Sequence, residues 1–238
     1  MKAKILTMVV TSLISLSSMA VTIDYRHEMQ DTAKNDHKDR LLMSHRFDNG
    51  FGLSVEAKWK QSDKDTTPNK PYNETVSNGT EVVASYLYKF DKSFSLEPGF
   101  SLDSSSTYNN YRPYLRGAYN VTDDLALSLR YRPYYKRNSD SIGTTKNTSE
   151  NGYNLTTAVS YKFLKDFQIA YELDYQKVNN DKVILTNNKD YKIEHDVSLS
   201  YKLDKNWKPY VAVGNVVGPD KTTDERQTRY RVGVQYSF

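Results

Sequence analysis

The chain has 238 residues, 37 % of them hydrophobic and 26 % charged, with a formal net charge of +4. That length suits one large domain or two small ones, and so mild a charge excludes a nucleic-acid binder. With no cysteine, a disulfide framework and a Cys-based zinc site are both excluded.

In chain order, the first element is a secretory signal. Lys2 and Lys4 precede a mostly apolar run from Ile5 to Leu16, and Ser18-Met19-Ala20 supplies small residues where a signal peptidase cuts. The run is too short and too polar to span a bilayer as a helix. Residues 1–20 are therefore expected to be removed, leaving Val21 as the mature N-terminus and a net charge of +2. No later stretch reaches the ~18 apolar residues that a membrane helix needs.

From Val21 onward the pattern has period two, which places alternate residues on opposite faces of a strand. Phe51, Leu53, Val55, Ala57 and Trp59 alternate with Gly52, Ser54, Glu56, Lys58 and Lys60. Leu125, Leu127, Leu129, Tyr131 and Tyr135 alternate with Ser128, Arg130, Arg132 and Lys136. The stretches 153–163 and 167–176 repeat the pattern, and the chain ends with Tyr230, Val232, Val234, Tyr236 and Phe238 alternating with Arg229, Arg231, Gly233, Gln235 and Ser237. Short turns occur at 48–50, 91–93, 122–124, 165–166 and 204–206. Longer polar connections lie near 31–38, 61–78, 104–109, 138–150, 179–190 and 217–226. Five turns and six loops join twelve strands. Alternating short and long connections are the layout of an outer-membrane barrel. The predicted fold is all-β, a single closed 12-stranded antiparallel transmembrane β-barrel over 21–238, located in the bacterial outer membrane.

A water-soluble sandwich also alternates, with its apolar face inward. Here the polar face is too heavily charged for that. The apolar face carries Tyr, Phe and Trp at its strand tips, as lipid-facing girdles do. The chain has 20 Tyr, and a ring with a wet hydroxyl suits a membrane interface. Phe238 as the last residue, behind Tyr236, is typical of chains that an outer-membrane assembly machinery inserts.

If the apolar set faces lipid, the other set faces the lumen, with eighteen basic side chains against ten acidic ones. The arginines form two groups. Arg112 and Arg116 on the sixth strand join Arg130, Arg132 and Lys136 on the seventh. Arg229 and Arg231 on the twelfth join Arg26 on the first and Arg40 and Arg46 on the second. In a closed ring of twelve, these groups oppose each other. Inward residues recur every ~6.8 Å along a strand, roughly 5 Å along the axis at ~40° tilt, about one sugar ring. Guanidinium pairs in planar fashion with carboxylate and stays charged. This is a path for acidic oligosaccharides. Asp24 and Glu28 are expected to quench part of the Arg26 wall, and Glu172, Asp174, Glu194 and Asp196 to pair with nearby lysines.

Two other classes compete: an outer-membrane hydrolase, and a structural or adhesin barrel. An enzyme needs a nucleophile and a base in reach. His27, His45 and His195 fall on the lipid-facing register and His37 in a loop, with no evident partner, and no metal-ligand or cofactor motif is present. A structural barrel has no need of a basic lumen.

Segments 21–32 (VTIDYRHEMQDT), 109–117 (NNYRPYLRG), 129–138 (LRYRPYYKRN), 204–216 (DKNWKPYVAVGNV) and 224–238 (DERQTRYRVGVQYSF) closely resemble the KdgM family of oligogalacturonate-specific porins. The likeness runs through the whole mature chain. It implies a monomeric twelve-stranded barrel with a narrow anion-selective pore, taking pectin breakdown products into the periplasm. It also implies opposed basic tracks, which Arg112, Arg116, Arg130, Arg132, Arg229 and Arg231 match in kind. Galacturonate as the sugar rests on this resemblance alone.

Overall fold

The structure is a computed structural model that describes residues 21–31, 36–62, 70, 72–139, 149–180 and 183–238. The expected signal segment 1–20 lies outside the described residues. The strands are β1 (Val21–Gln30), β2 (Asp36–Arg46), β3 (Phe51–Gln61), β4 (Thr75–Tyr86), β5 (Tyr88–Lys89), β6 (Phe94–Ser104) and β7 (Tyr108–Asn120). They continue as β8 (Leu125–Asn138), β9 (Glu150–Phe163), β10 (Phe167–Val178), β11 (Tyr191–Tyr201), β12 (Trp207–Val217) and β13 (Arg226–Ser237). The two-residue β5 continues β4 beyond Leu87, and both pair with β6. The wall therefore has twelve strands.

All pairings are antiparallel between neighbours, and the first and last strands pair with each other from Thr22↔Ser237 to Gln30↔Arg229. Closure leaves no open edge, so backbone N–H and C=O groups are satisfied without water, as a hydrocarbon surround demands. Strands of 10 to 14 residues at ~3.3 Å per residue and ~40° tilt reach about 25 Å or more along the axis.

The faces are inverted relative to a soluble protein. Among the described residues, Tyr134, Val178, Ala212 and Val216 are the buried apolar side chains, against eleven buried polar ones. Leu129, Val211 and Val232 are at least half exposed, whereas Asp24, Glu97 and Ser101 are at most 5 % exposed. Apolar groups point outward and charge points inward, which excludes the sandwich. Aromatic rings form two belts. At the short-turn end Phe163, Phe167 and Tyr201 follow one another at 5.6 and 4.7 Å between centroids, and Trp207, Tyr236 and Phe238 at 4.7 and 4.9 Å. At the long-loop end Tyr131, Tyr153, Tyr175 and Tyr191 run across four strands at 5.7, 6.0 and 5.8 Å.

The short turns are closed by their own side chains. Asp91 Oδ1 accepts the N–H groups of Ser93 and Phe94 at 2.6 and 2.7 Å. Asp204 Oδ1 accepts those of Asn206 and Trp207, both at 2.7 Å, and these donors hold its carboxyl below the usual carboxylate range. Such side-chain-to-backbone bonds are why Asp and Asn mark turns. The turn expected at 165–166 begins one residue earlier, with Leu164 and Lys165 at φ 48° and 67°, the left-handed pair that a tight hairpin requires.

The connections differ from expectation in places. The connection near 104–109 is short: β6 and β7 pair up to Ser104↔Asn109, and the Ser105 N–H bonds to the Tyr108 carbonyl at 2.9 Å. In addition, a bulge sets Asn78 and Gly79 against Lys58, between the pairs Ala57↔Thr80 and Trp59↔Ser77. Gly79 has φ +97°, a value that only glycine takes without strain.

In an outer-membrane barrel the short turns are expected on the periplasmic side and the loops outside. Because the chain lacks cysteine, single substitutions report this directly. Lys221→Cys should react with a membrane-impermeant maleimide on intact cells, and Lys92→Cys only after permeabilisation. Labelling of Lys92→Cys on intact cells would reverse the topology. The closing seam gives a second prediction. The Phe238 N–H bonds to the Val21 carbonyl at 3.1 Å, and its ring meets Tyr236. Deleting Phe238 should lower the yield of heat-modifiable folded barrel; an unchanged yield would show the terminal aromatic to be dispensable.

Candidate functional site

Inward residues recur with the strand period, so the lumen wall is set by parity. All ten predicted basic residues lie on the inward register: Arg26 on β1, Arg40 and Arg46 on β2, Arg112 and Arg116 on β7, Arg130, Arg132 and Lys136 on β8, and Arg229 and Arg231 on β13. In the ring order, β7 and β8 stand opposite β13 and β1.

The β13–β1–β2 wall is largely neutralised. Arg231 donates from Nε to Glu28 at 2.7 Å and lies 3.2 Å from Asp196. Arg229 pairs with Asp196 and approaches Glu194 at 3.7 Å. Arg40 bridges Asp24 at 3.1 Å and Glu56 at 3.3 Å. Arg26 has Glu28 at 3.7 Å, and its Nε is buried without a partner. The quenching role expected of Asp24 and Glu28 is thus present, though Asp24 bridges Arg40. The lysine partners expected for the β10 and β11 acids need correction. Asp196 is held by Arg229 and Arg231, and Asp174 accepts from Asn154 and Thr156 at 2.9 and 2.7 Å. Of those four acids only Glu194 has a lysine in a salt bridge among the described residues, Lys192 at 2.8 Å. The reason lies in Gly214, which pairs with Asp196 on one side and Arg229 on the other. With no side chain between them, the guanidinium reaches across β12.

The β7–β8 wall divides in two. Arg112 bridges Glu81 at 2.6 Å, while Arg116 and Arg46 converge on Glu97. Arg46 and Arg116, expected on opposite walls, therefore share one carboxylate near the short-turn end. Arg130 and Arg132 have no carboxylate within ion-pair distance among the described residues. Arg130 donates to Thr156 Oγ1 at 3.2 Å, and the Nε atoms of both arginines are buried without a partner. Lys136 sits over the Tyr108 ring, 4.6 Å from its centroid. These are the least committed cations of the predicted set, together with Arg26.

A cavity of about 450 Å³ lies beside Arg26, Arg40 and Arg231, faced by the small side chains Ala158, Ala170 and Ser198. A second space of about 240 Å³ lies between Arg112, Arg132 and Lys136. Neither the small-residue wall nor the lumen tyrosines Tyr114 and Tyr210 figured in the charge pattern. Their parity was readable, since Tyr114 falls midway between Arg112 and Arg116 on the same face.

Two of the four histidines, His27 and His37, meet outside the lumen. His37 lies in β2 rather than in a loop. His27 Nδ1 is 2.9 Å from Asp39 Oδ1, and its Nε2 is 3.1 Å from His37 Nδ1. Tyr25 donates its hydroxyl to the same carboxylate at 2.7 Å. His27 pairs with Val232 and Asp39 in register, on the lipid-facing side.

The oligogalacturonate-specific porin protein (KdgM) family matches residues 14–238. The chain belongs to this family. It is 68 % identical, over the full length of both chains, to the oligogalacturonate-specific porin KdgM of Dickeya dadantii (strain 3937). A solved KdgM porin in complex with disordered oligogalacturonate is 58 % identical and superposes with a TM-score of 0.69, covering 91 % of this chain and 99 % of that one. The fold also matches a NanC porin structure with a TM-score of 0.71 at 22 % identity, over 93 % of this chain and 100 % of that one. The protein is an outer-membrane β-barrel porin.

Glu97 is the junction on which two track arginines depend. Glu97→Gln should release Arg46 and Arg116 and raise the chloride-over-potassium permeability ratio severalfold, since one charge in a wet lumen is worth about 1 kcal/mol. Reversal potentials in a salt gradient measure this. An unchanged ratio would mean that the released cations do not face the ion path.

Proposed function

We propose that this chain, exported with the help of a cleaved segment 1–20, is a monomeric, passive channel for acidic oligosaccharides. Oligogalacturonates are its principal substrate, and the lumen arginines guide them. It is a channel and carries out no chemistry on its cargo. Its other partners are the outer-membrane lipids and the machinery that inserts it.

One observation carries this reading beyond the family. Arg130 and Arg132 hold two uncommitted positive charges on consecutive inward positions of β8, across the bore from Arg26. A polyuronate presents a carboxylate on each sugar. The ~5 Å axial step between inward residues lets one carboxylate leave a guanidinium as the next arrives. Charges committed to Asp196, Glu28 or Glu97 hold the wall together. Those without a carboxylate are available to the substrate.

Planar bilayers test this. Trigalacturonate should interrupt the single-channel current of the native protein in a concentration-dependent way. Changing Arg130 and Arg132 together to Glu alters the lumen charge by four. The pore should then lose its preference for chloride, and trigalacturonate block should fall by about tenfold or more, on the scale of charge effects in focused fields. A neutral sugar should still pass, because the barrel remains open. If the double variant folds and keeps both anion preference and block, the arginine path is wrong.

A further inference from the structure

Three of the four inward-facing tyrosines of the described residues share one arrangement: Tyr114 on β7, Tyr134 on β8 and Tyr210 on β12. Each lies directly opposite a glycine of the adjacent strand, in the pairs Tyr114↔Gly99, Tyr134↔Gly152 and Tyr210↔Gly233. A Cβ on any of these glycines would strike the ring or the hydroxyl of its tyrosine. The absent side chain is the space in which the ring lies. Each ring is laid along the wall instead of projecting into the bore.

The hydroxyls all end on carboxylates. Tyr114 donates to Glu97 and Tyr134 to Glu150, both at 3.0 Å. Tyr210 donates to Asp24 at 2.8 Å. Tyr210 is on β12 and Asp24 on β1, so the ring crosses the whole of β13 at Gly233. Neighbouring strands are ~4.8 Å apart, and the flat-lying phenol bridges that width twice over.

Asp24 is 4 % exposed and receives three donors: the Tyr210 hydroxyl, Gln235 Nε2 at 3.1 Å and Arg40 at 3.1 Å. Arg26, two residues further along β1, lines the same 450 Å³ cavity as Asp24 and Tyr210. Its own carboxylate contact is the long one to Glu28, and its Nε lacks a partner. An ionised carboxylate has about four acceptor sites. Without the phenol, the vacated Oδ1 would be free to turn toward the unsatisfied guanidinium of Arg26.

We propose that Tyr210 is a positioning residue of the channel. Seated on Gly233, it keeps its ring out of the bore and holds Asp24 on Arg40, so that Arg26 stays available to a passing anion. Tyr114 on Gly99 repeats the device for Glu97. The proposal rests on the anionic-substrate reading for the identity of the ligand, and on the geometry alone for its effect on simple ions.

The test uses the whole protein in planar bilayers, first with potassium chloride alone and then with trigalacturonate. Tyr210→Phe keeps the ring and removes the hydroxyl. Its chloride-over-potassium permeability ratio should fall by about twofold, less than for the loss of a whole lumen charge, as Asp24 partly screens Arg26. Gly233→Ala drives the ring off the wall and should cut single-channel conductance by about half through the narrowed bore. Adding Tyr210→Ala to Gly233→Ala should restore it. A native ratio in Tyr210→Phe, or a native conductance in Gly233→Ala, overturns the proposal. If Gly233→Ala yields no folded barrel while the double variant does, the clash with Tyr210 is established and the ratio of Tyr210→Phe decides. If that ratio falls but trigalacturonate blocks neither the native protein nor the variant, the positioning role stands and the acidic-oligosaccharide reading fails.

Discussion

The pairing of β1 with β13, nine residues on each strand from Thr22↔Ser237 to Gln30↔Arg229, is the interaction on which everything else depends. It turns a twelve-stranded sheet into a cylinder, and only a cylinder satisfies every strand's backbone in lipid. Once the sheet is closed, each strand has one face toward hydrocarbon and one toward water. With a side-chain period of two, a single residue of slip would exchange them. Lys38, Arg40, Arg229 and Arg231 would then meet acyl chains, at a cost of about 2–4 kcal/mol each near the bilayer centre. The charges that line the lumen therefore also enforce the register of the seam that encloses them.

That enclosure creates the second constraint. Positive charges crowded in one bore repel one another, and a wall of arginines without counter-ions would oppose closure. The structure answers with shared carboxylates. Glu97 serves Arg46 and Arg116, Asp196 serves Arg229 and Arg231, and Glu28 lies between Arg231 and Arg26. Glu97 and Asp196 tie together strands that are not neighbours in the sheet, and Glu28 ties β1 to β13 across the seam. What remains is uneven: the β13–β2 side is mostly committed, and Arg130 and Arg132 on β8 are not. Across the bore from them, Arg26 on β1 keeps its Nε without a partner.

The period-two pattern from Phe51 to Trp59, from Leu125 to Tyr135 and from Tyr230 to Phe238 was enough to read the barrel and its inner face, because alternation is a local property. The inward position of all ten basic residues follows from it. Their partners do not, since Arg229 finds Asp196 only because the registers of three strands bring Gly214 between them. The bulge at Gly79 escaped for a similar reason: one extra residue is visible only against the opposing strand. The lumen tyrosines failed differently. Tyr210 and Tyr114 have the parity of Lys208 and Arg112, but carry no charge, and a lumen read from its charges passes over them. His37 was placed in a loop because the first extracellular connection was drawn too long.

Selectivity in such a channel must not become retention. A carboxylate meeting an arginine in a wet bore gains about 1 kcal/mol. An oligomer touching Arg130, Arg132 and Arg26 at once would gain about 3 kcal/mol if the contacts add, less than the ~4 kcal/mol of a millimolar complex. Residence is then brief, and flux follows the concentration gradient. Lysines would supply the charge, yet their compact, strongly hydrated heads favour point contacts over the planar, two-point grip of a guanidinium. A few uncommitted arginines therefore suffice. Releasing all of the bound ones would deepen the attraction, weaken the wall that holds them and slow the exit on which passive uptake depends.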